Sequence, residues 1–199
     1  MSIELKNIKI TIGFAAAVFF AFVFNSGYTD GYVISVVSAA FHEIIHLLFL
    51  FICGVRRISV DILPGGIRIK SGEVRQLNYK KTILCTLCAP VFNLITAGIC
   101  YIVNRKTNNE LLTEAAVINL VLGTVNLLPL SFLDGGRAFQ CMVSEKRDGE
   151  ETEIITKKAE IVCLVLLGPP VLYLSFFEKM NIILIVFYAY CIFNCVSKK

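Results

Sequence analysis

Charged residues are scarce in this sequence of 199 residues: Asp, Glu, Lys and Arg make up 17% of it. Apolar residues make up 56%, and the mean hydropathy is +0.74. Soluble domains are typically about 45–50% apolar, so this composition excludes a soluble globular protein. Pro/Ser-rich linkers, low-complexity stretches and clear repeats are lacking as well, which predicts one domain over residues 1–199.

The apolar residues form blocks of the length that a helix needs to cross about 30 Å of hydrocarbon. We therefore predict an all-α polytopic membrane protein with six transmembrane helices. The first block is short, and a cleaved signal peptide is the alternative interpretation of it. The predicted spans cover residues 10–24, 32–54, 82–103, 111–130, 159–177 and 180–196.

Positive charge is distributed unevenly between the predicted loops. With an inside N-terminus, the inner segments hold 16 of the 19 Lys and Arg residues, and the outer loops hold three. Cytoplasmic loops carry the excess of Lys and Arg, so we expect both termini to face the cytoplasm. These residues flank the spans and lack an aromatic stacking surface, which favours a lipid bilayer over nucleic acid as their partner.

The eight cysteines do not predict a disulfide framework, since none lies clearly on the outer face of the membrane. Cys85 and Cys88 have the spacing of a redox or metal-binding pair. Inside a predicted span, however, small apolar packing is the preferred interpretation of such a pair.

The second apolar block carries three ionisable residues within five positions, His42, Glu43 and His46. Each raises the free energy of insertion by at least ~2.5–3.5 kcal/mol in the middle of a membrane, so ionisable residues without a function are not expected here. His42 and His46 lie four residues apart, on one face of a helix, where both can bind one metal ion. Glu43 lies beside that face, as in the H-E-x-x-H pattern of zinc hydrolases. The alternative is a pair of hydrogen-bonded core histidines.

A catalytic zinc ion usually has three protein ligands. The sequence has only two histidines, so a carboxylate or a thiolate must complete the site. Asp134 is the best candidate, because the second and fourth blocks are both predicted to run from outside to inside. Pro129 and the pair Gly135-Gly136 are predicted to break the helix there. Taken alone, Asp134 would more readily be an ordinary aspartate at the start of a Gly-Gly turn.

Two motifs together resemble the site-2 protease family of intramembrane zinc metalloproteases. They are HEIIH in an early span and N-x-x-P-x-x-x-x-D-G-G-R, which begins at Asn126, after a later one. The branch that they resemble most is that of six-span bacterial enzymes typified by stage IV sporulation protein FB. The resemblance implies that His42, His46 and Asp134 bind Zn²⁺ and that Glu43 is the catalytic base.

The resemblance also implies a role for Asn126 near the substrate segment. In the mechanism of a zinc hydrolase, the second donor to the oxyanion can be either Asn126 or a backbone N–H. Asn93, in Ala89-Pro90-x-x-Asn93, resembles a further polar feature of the family that can contact the substrate. The alternative for Asn93 is a hydrogen-bonded residue in a kinked helix. Family members often have a second proline before Leu-Asp-Gly, where this sequence has Phe132.

Residues 58–70 contain two short β-branched runs around Pro64-Gly65-Gly66, which is a hairpin signal. We predict a short membrane-associated β-hairpin whose edge can pair with an unwound substrate. The alternative is a solvated basic loop.

The function that the resemblance implies is hydrolysis of peptide bonds in or near transmembrane segments of membrane-bound substrates, in a bacterial cell membrane. No PDZ-like or nucleotide-sensing domain is expected, so any regulation would come from a separate membrane protein. The alternatives are a zinc-binding membrane protein and an inactive scaffold relative without proteolysis.

Overall fold

The computed structural model describes residues 2–5, 8–12, 30–56, 58–63, 66–70, 77–177 and 182–197. Within them, six helices account for most of the chain: α1 (Asp30–Ile52), α2 (Tyr79–Thr107), α3 (Glu110–Asn126), α4 (Asp134–Ser144), α5 (Gly149–Phe177) and α6 (Ile182–Ser197). Four short strands precede α1 or lie between α1 and α2: β1 (Ser2–Leu5), β2 (Ile8–Ile12), β3 (Ile58–Leu63) and β4 (Gly66–Lys70). The chain divides into two compact units, Met1–Thr124 and Val125–Lys199.

Two helices of the described residues are long and apolar enough to cross a membrane, Gly31–Ile52 and Tyr79–Thr107, each with a hydropathy of 2.0. They coincide with the predicted spans 32–54 and 82–103. Within the apolar stretch of 18 residues in each helix, only 22% and 33% is buried inside the protein. A core helix of a soluble protein would be mostly buried, so their exposed apolar faces fit contact with lipid.

The other predicted spans differ from the structure at their ends. α3 ends at Asn126 and not at residue 130, since the residue before Pro129 is biased away from helical backbone. α5 begins at Gly149 and not at residue 159, because the Glu- and Lys-containing segment before the apolar run also forms helix. α6 covers Ile182–Ser197, close to the predicted 180–196.

The first predicted span, 10–24, is wrong at its start, because Ile10–Ile12 belong to strand β2. Isoleucines alternate there with Lys9 and Thr11, and a period of two is typical of a strand. Residues 13–24 of that span lie outside the described part of the chain.

The four strands form one sheet in the order β1-β2-β3-β4. β1 and β2 are antiparallel, β2 and β3 are parallel with Ile8 opposite Ile58, and β3 and β4 are antiparallel with Ser59 opposite Lys70. Parallel strands need a crossover connection, and α1 lies in the chain between β2 and β3. Strands β2 and β3 therefore lie beside each other in the first unit.

In the first unit, α1 packs against α2 through small and aliphatic side chains, with Ile45, Cys88 and Ala89 at one contact. α3 approaches α2 closely at Gly123, where an added Cβ would lie 2.8 Å from the carbonyl oxygen of Pro90. A side chain at this position would therefore push the two helices apart.

In the second unit, α5 and α6 pack around Leu130, which is fully buried, with Cys163, Leu164, Cys191 and Cys195. The Tyr188 hydroxyl donates to the carbonyl oxygen of Leu164 at 2.8 Å. This contact places the phenol against Gly168, where an added Cβ would lie 2.9 Å from the hydroxyl oxygen.

Candidate metal centre

His42 and His46 lie one turn apart on the apolar helix α1. His42 is 5% exposed, and His46 is half-buried. Their Nε2 atoms are 3.2 Å apart. Two nitrogen ligands at about 2.0–2.1 Å from a tetrahedral zinc ion are roughly 3.3 Å apart, so this pair fits one metal ion.

A backbone carbonyl holds the ring of His46. Its Nδ1 lies 2.8 Å from the carbonyl oxygen of Cys85 on α2. A carbonyl oxygen can only accept a hydrogen bond, so Nδ1 donates and carries the ring proton. The lone pair of a neutral His46 is therefore on Nε2, the atom that faces His42.

His42 is held by side chains of two other helices. Its Nδ1 lies 2.8 Å from Oδ1 of Asn93 on α2, and Asn93 contacts Asn119 on α3. Asn93 is fully buried and Asn119 is 3% exposed. Glu43, the residue after His42, is half-buried beside the histidine face of α1.

The two thiols of Cys85-x-x-Cys88 contact groups other than the Nε2 atom of His46. Cys88 Sγ is 4.0 Å from the Nδ1 atom of His46 and donates to the Cys85 carbonyl oxygen at 3.1 Å. Cys85 Sγ donates to Cys53 Sγ at 3.2 Å. These contacts favour the packing interpretation of Cys85-x-x-Cys88 over a role as metal ligands.

In the second unit, Asp134 is the first residue of α4 and is 7% exposed. The positive end of the helix dipole stabilises a carboxylate at this position. The Arg137 guanidinium lies 3.9 Å from its Oδ1, but Arg137 is largely exposed, so this ion pair is weak.

Gly135 and Gly136 do not break the helix as predicted; both are buried in the first turn of α4. Added Cβ atoms there would collide with the backbone carbonyls of Leu127 and Leu130 respectively. The segment that follows Asn126 therefore wraps closely against the start of α4, and only glycine fits this approach.

A buried carboxylate holds the same segment from the other side. Glu160 on α5 is 5% exposed and accepts from the Ser131 hydroxyl at 3.0 Å and from the Ser131 N–H at 3.3 Å. Glu160 and Ser131 also line a cavity of about 310 Å³ in this unit. On α4, burial raises the pKa of the Cys141 thiol above its usual range.

The described residues offer two imidazoles in the first unit, on His42 and His46, and one buried carboxylate in the second, on Asp134. This set satisfies the ligand preferences of zinc. Asn126 is half-buried at the end of α3. Substrate contacts by Asn126 and Asn93 stay predictions.

Sequence reasoning missed Asn119 and Glu160. Asn119 was detectable as a single strongly polar residue in the apolar run of α3, seven residues before Asn126. Such a residue must satisfy its amide within the protein when the rest of the helix faces lipid. The sequence does not say, however, which groups it meets.

Three comparisons with known proteins bear on this geometry. Residues 105–167 match the model of Peptidase family M50, a stretch that contains Asn126 and Asp134. No curated protein matches the chain. Among solved structures, the chain is similar to the Site-2 Protease from Methanocaldococcus jannaschii, with a TM-score of 0.66 and 20% identity.

That similarity covers 100% of this chain and 95% of the archaeal chain. At 20% identity it shows the fold alone, which is that of the archaeal site-2 protease. The family match, the fold and the donor set together support an intramembrane metalloprotease.

Proposed function

We propose that the chain is an intramembrane zinc metalloprotease that hydrolyses peptide bonds in or near transmembrane segments of membrane-bound substrates. The observation that carries the proposal is the pair of Nε2 atoms 3.2 Å apart on an apolar helix. A histidine pair with this spacing has the geometry of two zinc ligands, and the site-2 protease fold supplies the reaction class.

In this proposal, His42, His46 and Asp134 are the three protein ligands. When bound, zinc supplies a Lewis acid that polarises the scissile carbonyl and lowers the pKa of a water molecule toward ~7. The burial of Asp134 and its place at the N-terminus of α4 support its role, since both hold a carboxylate in one position.

Glu43 is proposed as the general base. It follows His42 directly, so its carboxylate can reach a water molecule on the histidine face of α1. It takes a proton from the attacking water and returns it to the leaving amide nitrogen. Asn126, at the end of the helix before Asp134, is proposed to donate to the developing oxyanion.

An unwound substrate is proposed to pair with strand β4. β4 is an outer strand of the sheet in the described residues, so its second edge is available for a further strand. Such pairing would satisfy the backbone groups of a substrate helix that has lost its internal hydrogen bonds. In this proposal the β3–β4 hairpin lies at the membrane surface.

The finer assignments are also part of the proposal: zinc as the metal, six spans, cytoplasmic termini, a bacterial membrane and the stage IV sporulation protein FB branch. Pairing of β2 with β3 supports a common side for segments 1–9 and 55–81, which the charge distribution places in the cytoplasm. A separate regulatory membrane protein remains a proposed partner.

The decisive experiment compares membrane-protein fragments in cells that carry the native chain, Glu43→Gln or Glu145→Gln. Glutamine cannot accept the proton, so fragments cut inside or beside spans are expected to disappear with Glu43→Gln. Zinc content should stay at the native level, because Glu43 is not a ligand. Glu145 is exposed and outside the site, so Glu145→Gln is expected to leave every fragment in place.

Turnover retained by Glu43→Gln would contradict the proposed mechanism. Native zinc content with no fragment that depends on Glu43 would instead favour a zinc-binding membrane protein without proteolysis.

A further inference from the structure

We propose that two buried asparagines, Asn93 and Asn119, set the tautomer of His42 and so make its Nε2 atom a metal ligand. The inference rests on the proposed function only in taking His42 as a ligand of the zinc ion. The hydrogen-bond network itself lies within the first unit and involves helices α1, α2 and α3.

The network is a continuous chain of short contacts among buried groups. His42 Nδ1 is 2.8 Å from Asn93 Oδ1, and Asn93 Nδ2 donates to Asn119 Oδ1 at 2.8 Å. Asn119 Nδ2 then donates to Ser38 Oγ and to the carbonyl oxygen of Ala115, both at 2.9 Å. The side chains of the network are at most 5% exposed.

The direction of every bond follows from one backbone carbonyl. The Ala115 oxygen can only accept, so the NH₂ group of Asn119 must face it and its Oδ1 must face Asn93. Asn93 then has to turn its own NH₂ group toward Asn119 and its oxygen toward His42. An oxygen at that place requires a proton on His42 Nδ1, which leaves the Nε2 lone pair for a metal ion.

Asn119 is therefore a positioning residue that acts through Asn93. Without Asn119, the Asn93 amide can rotate by 180° and present its NH₂ group to His42, which stabilises the tautomer with the proton on Nε2. His46 needs no second residue to orient its acceptor. Its Nδ1 donates to the backbone carbonyl oxygen of Cys85, which can only accept a hydrogen bond.

The test uses the full chain in detergent and measures zinc affinity by competition with a chelator. Partners of metal-bound histidines typically contribute 10–100-fold to metal affinity, and we expect Asn119→Leu to lower zinc affinity within that range. Asn93→Asp should restore affinity in the Asn119→Leu background, because both oxygens of a carboxylate accept and rotation no longer matters. Asn194→Leu, at a half-buried asparagine of α6 outside the network, is the matched control and should keep native affinity.

A second readout does not depend on the metal. The chain has two histidines, so ¹⁵N-histidine labelling gives a spectrum of only two rings in the zinc-free protein. We expect both rings to carry the proton on Nδ1 in the native chain, and the His42 ring to lose this preference in Asn119→Leu. The double variant should show the Nδ1-protonated form again.

The inference is overturned if Asn119→Leu changes neither the His42 tautomer nor the zinc affinity. It is also overturned if Asn93→Asp fails to rescue Asn119→Leu, because Asn119 would then act through helix packing alone. A native chain that binds no zinc but shows the expected tautomers contradicts the proposed function and supports the network. Zinc binding by the native chain, together with an unchanged His42 tautomer in Asn119→Leu, supports the proposed function and contradicts the network.

Discussion

Replacement of Gly135 by alanine tests whether the close approach of residues 127–130 to α4 positions Asp134. An added methyl group would overlap the carbonyl group of Leu127 and come within 2.7 Å of the Leu128 oxygen. These atoms belong to the backbone and cannot rotate away, so the first turn of α4 must move. Asp134 is the residue before Gly135 and has to move with it.

The size of the effect follows from the geometry. Overpacking of a buried site costs about 1–3 kcal/mol of unfolding free energy, and backbone contacts are expected at the upper end. A displacement of about 1 Å at a reacting group can lower the rate ~10²-fold. Gly135→Ala should therefore reduce both zinc content and proteolysis, with a lower midpoint of thermal unfolding.

Gly149→Ala is the matched control, since an added Cβ there meets nothing within 4 Å. Gly149 begins α5, and an alanine in a compatible position stabilises by about 0.4–1 kcal/mol. We expect native zinc content and activity in this variant. If Gly135→Ala behaves like Gly149→Ala in zinc content, activity and unfolding midpoint, the glycine pair does not hold Asp134 in place.

Two further predictions concern the carboxylates of the second unit. Asp134→Ala should lower both zinc content and activity, because it removes the proposed third ligand; native zinc content, measured by elemental analysis, would mean that another group completes the site. Glu160→Ala removes the acceptor of two hydrogen bonds from Ser131 and should cost about 1.5–3 kcal/mol of unfolding free energy, whereas Glu160→Gln keeps an acceptor and should cost less. Equal unfolding midpoints for the two Glu160 variants in thermal denaturation would contradict this account.

Hydropathy was sufficient to predict where most helices lie, because lipid-facing helices need long apolar runs whatever they pack against. It was not sufficient at Ile10–Ile12, where a strand with apolar alternation also has a high mean hydropathy. The position of the glycines after Asp134 within a helix could not be predicted from the local sequence either. In the sequence, Gly135-Gly136 has the pattern of a turn, and only the neighbouring Leu127 and Leu130 carbonyls reveal why glycine is needed inside a helix.

The histidine pair was predictable because its spacing on α1 depends only on the helix repeat. Its hydrogen-bond partners were not, since Cys85 and Asn93 lie on α2, 39 and 51 positions away in the chain, and no local pattern reports such distances. Asn93 was singled out for a different reason, its likeness to a family motif, and the structure places it against the ring of His42.

The two histidines are held by acceptors of different kinds, and this difference has consequences for how the centre tolerates mutation. A backbone carbonyl orients His46, so substitution of the Cys85 side chain leaves that acceptor in place. His42 depends on a side-chain amide, and the orientation of that amide depends on a second one. The Asn93 oxygen and the Cys85 carbonyl oxygen both lie 2.8 Å from a histidine nitrogen. Substitutions at Asn93 and Asn119 should nevertheless impair the centre most, whereas substitution of the Cys85 side chain should have little effect.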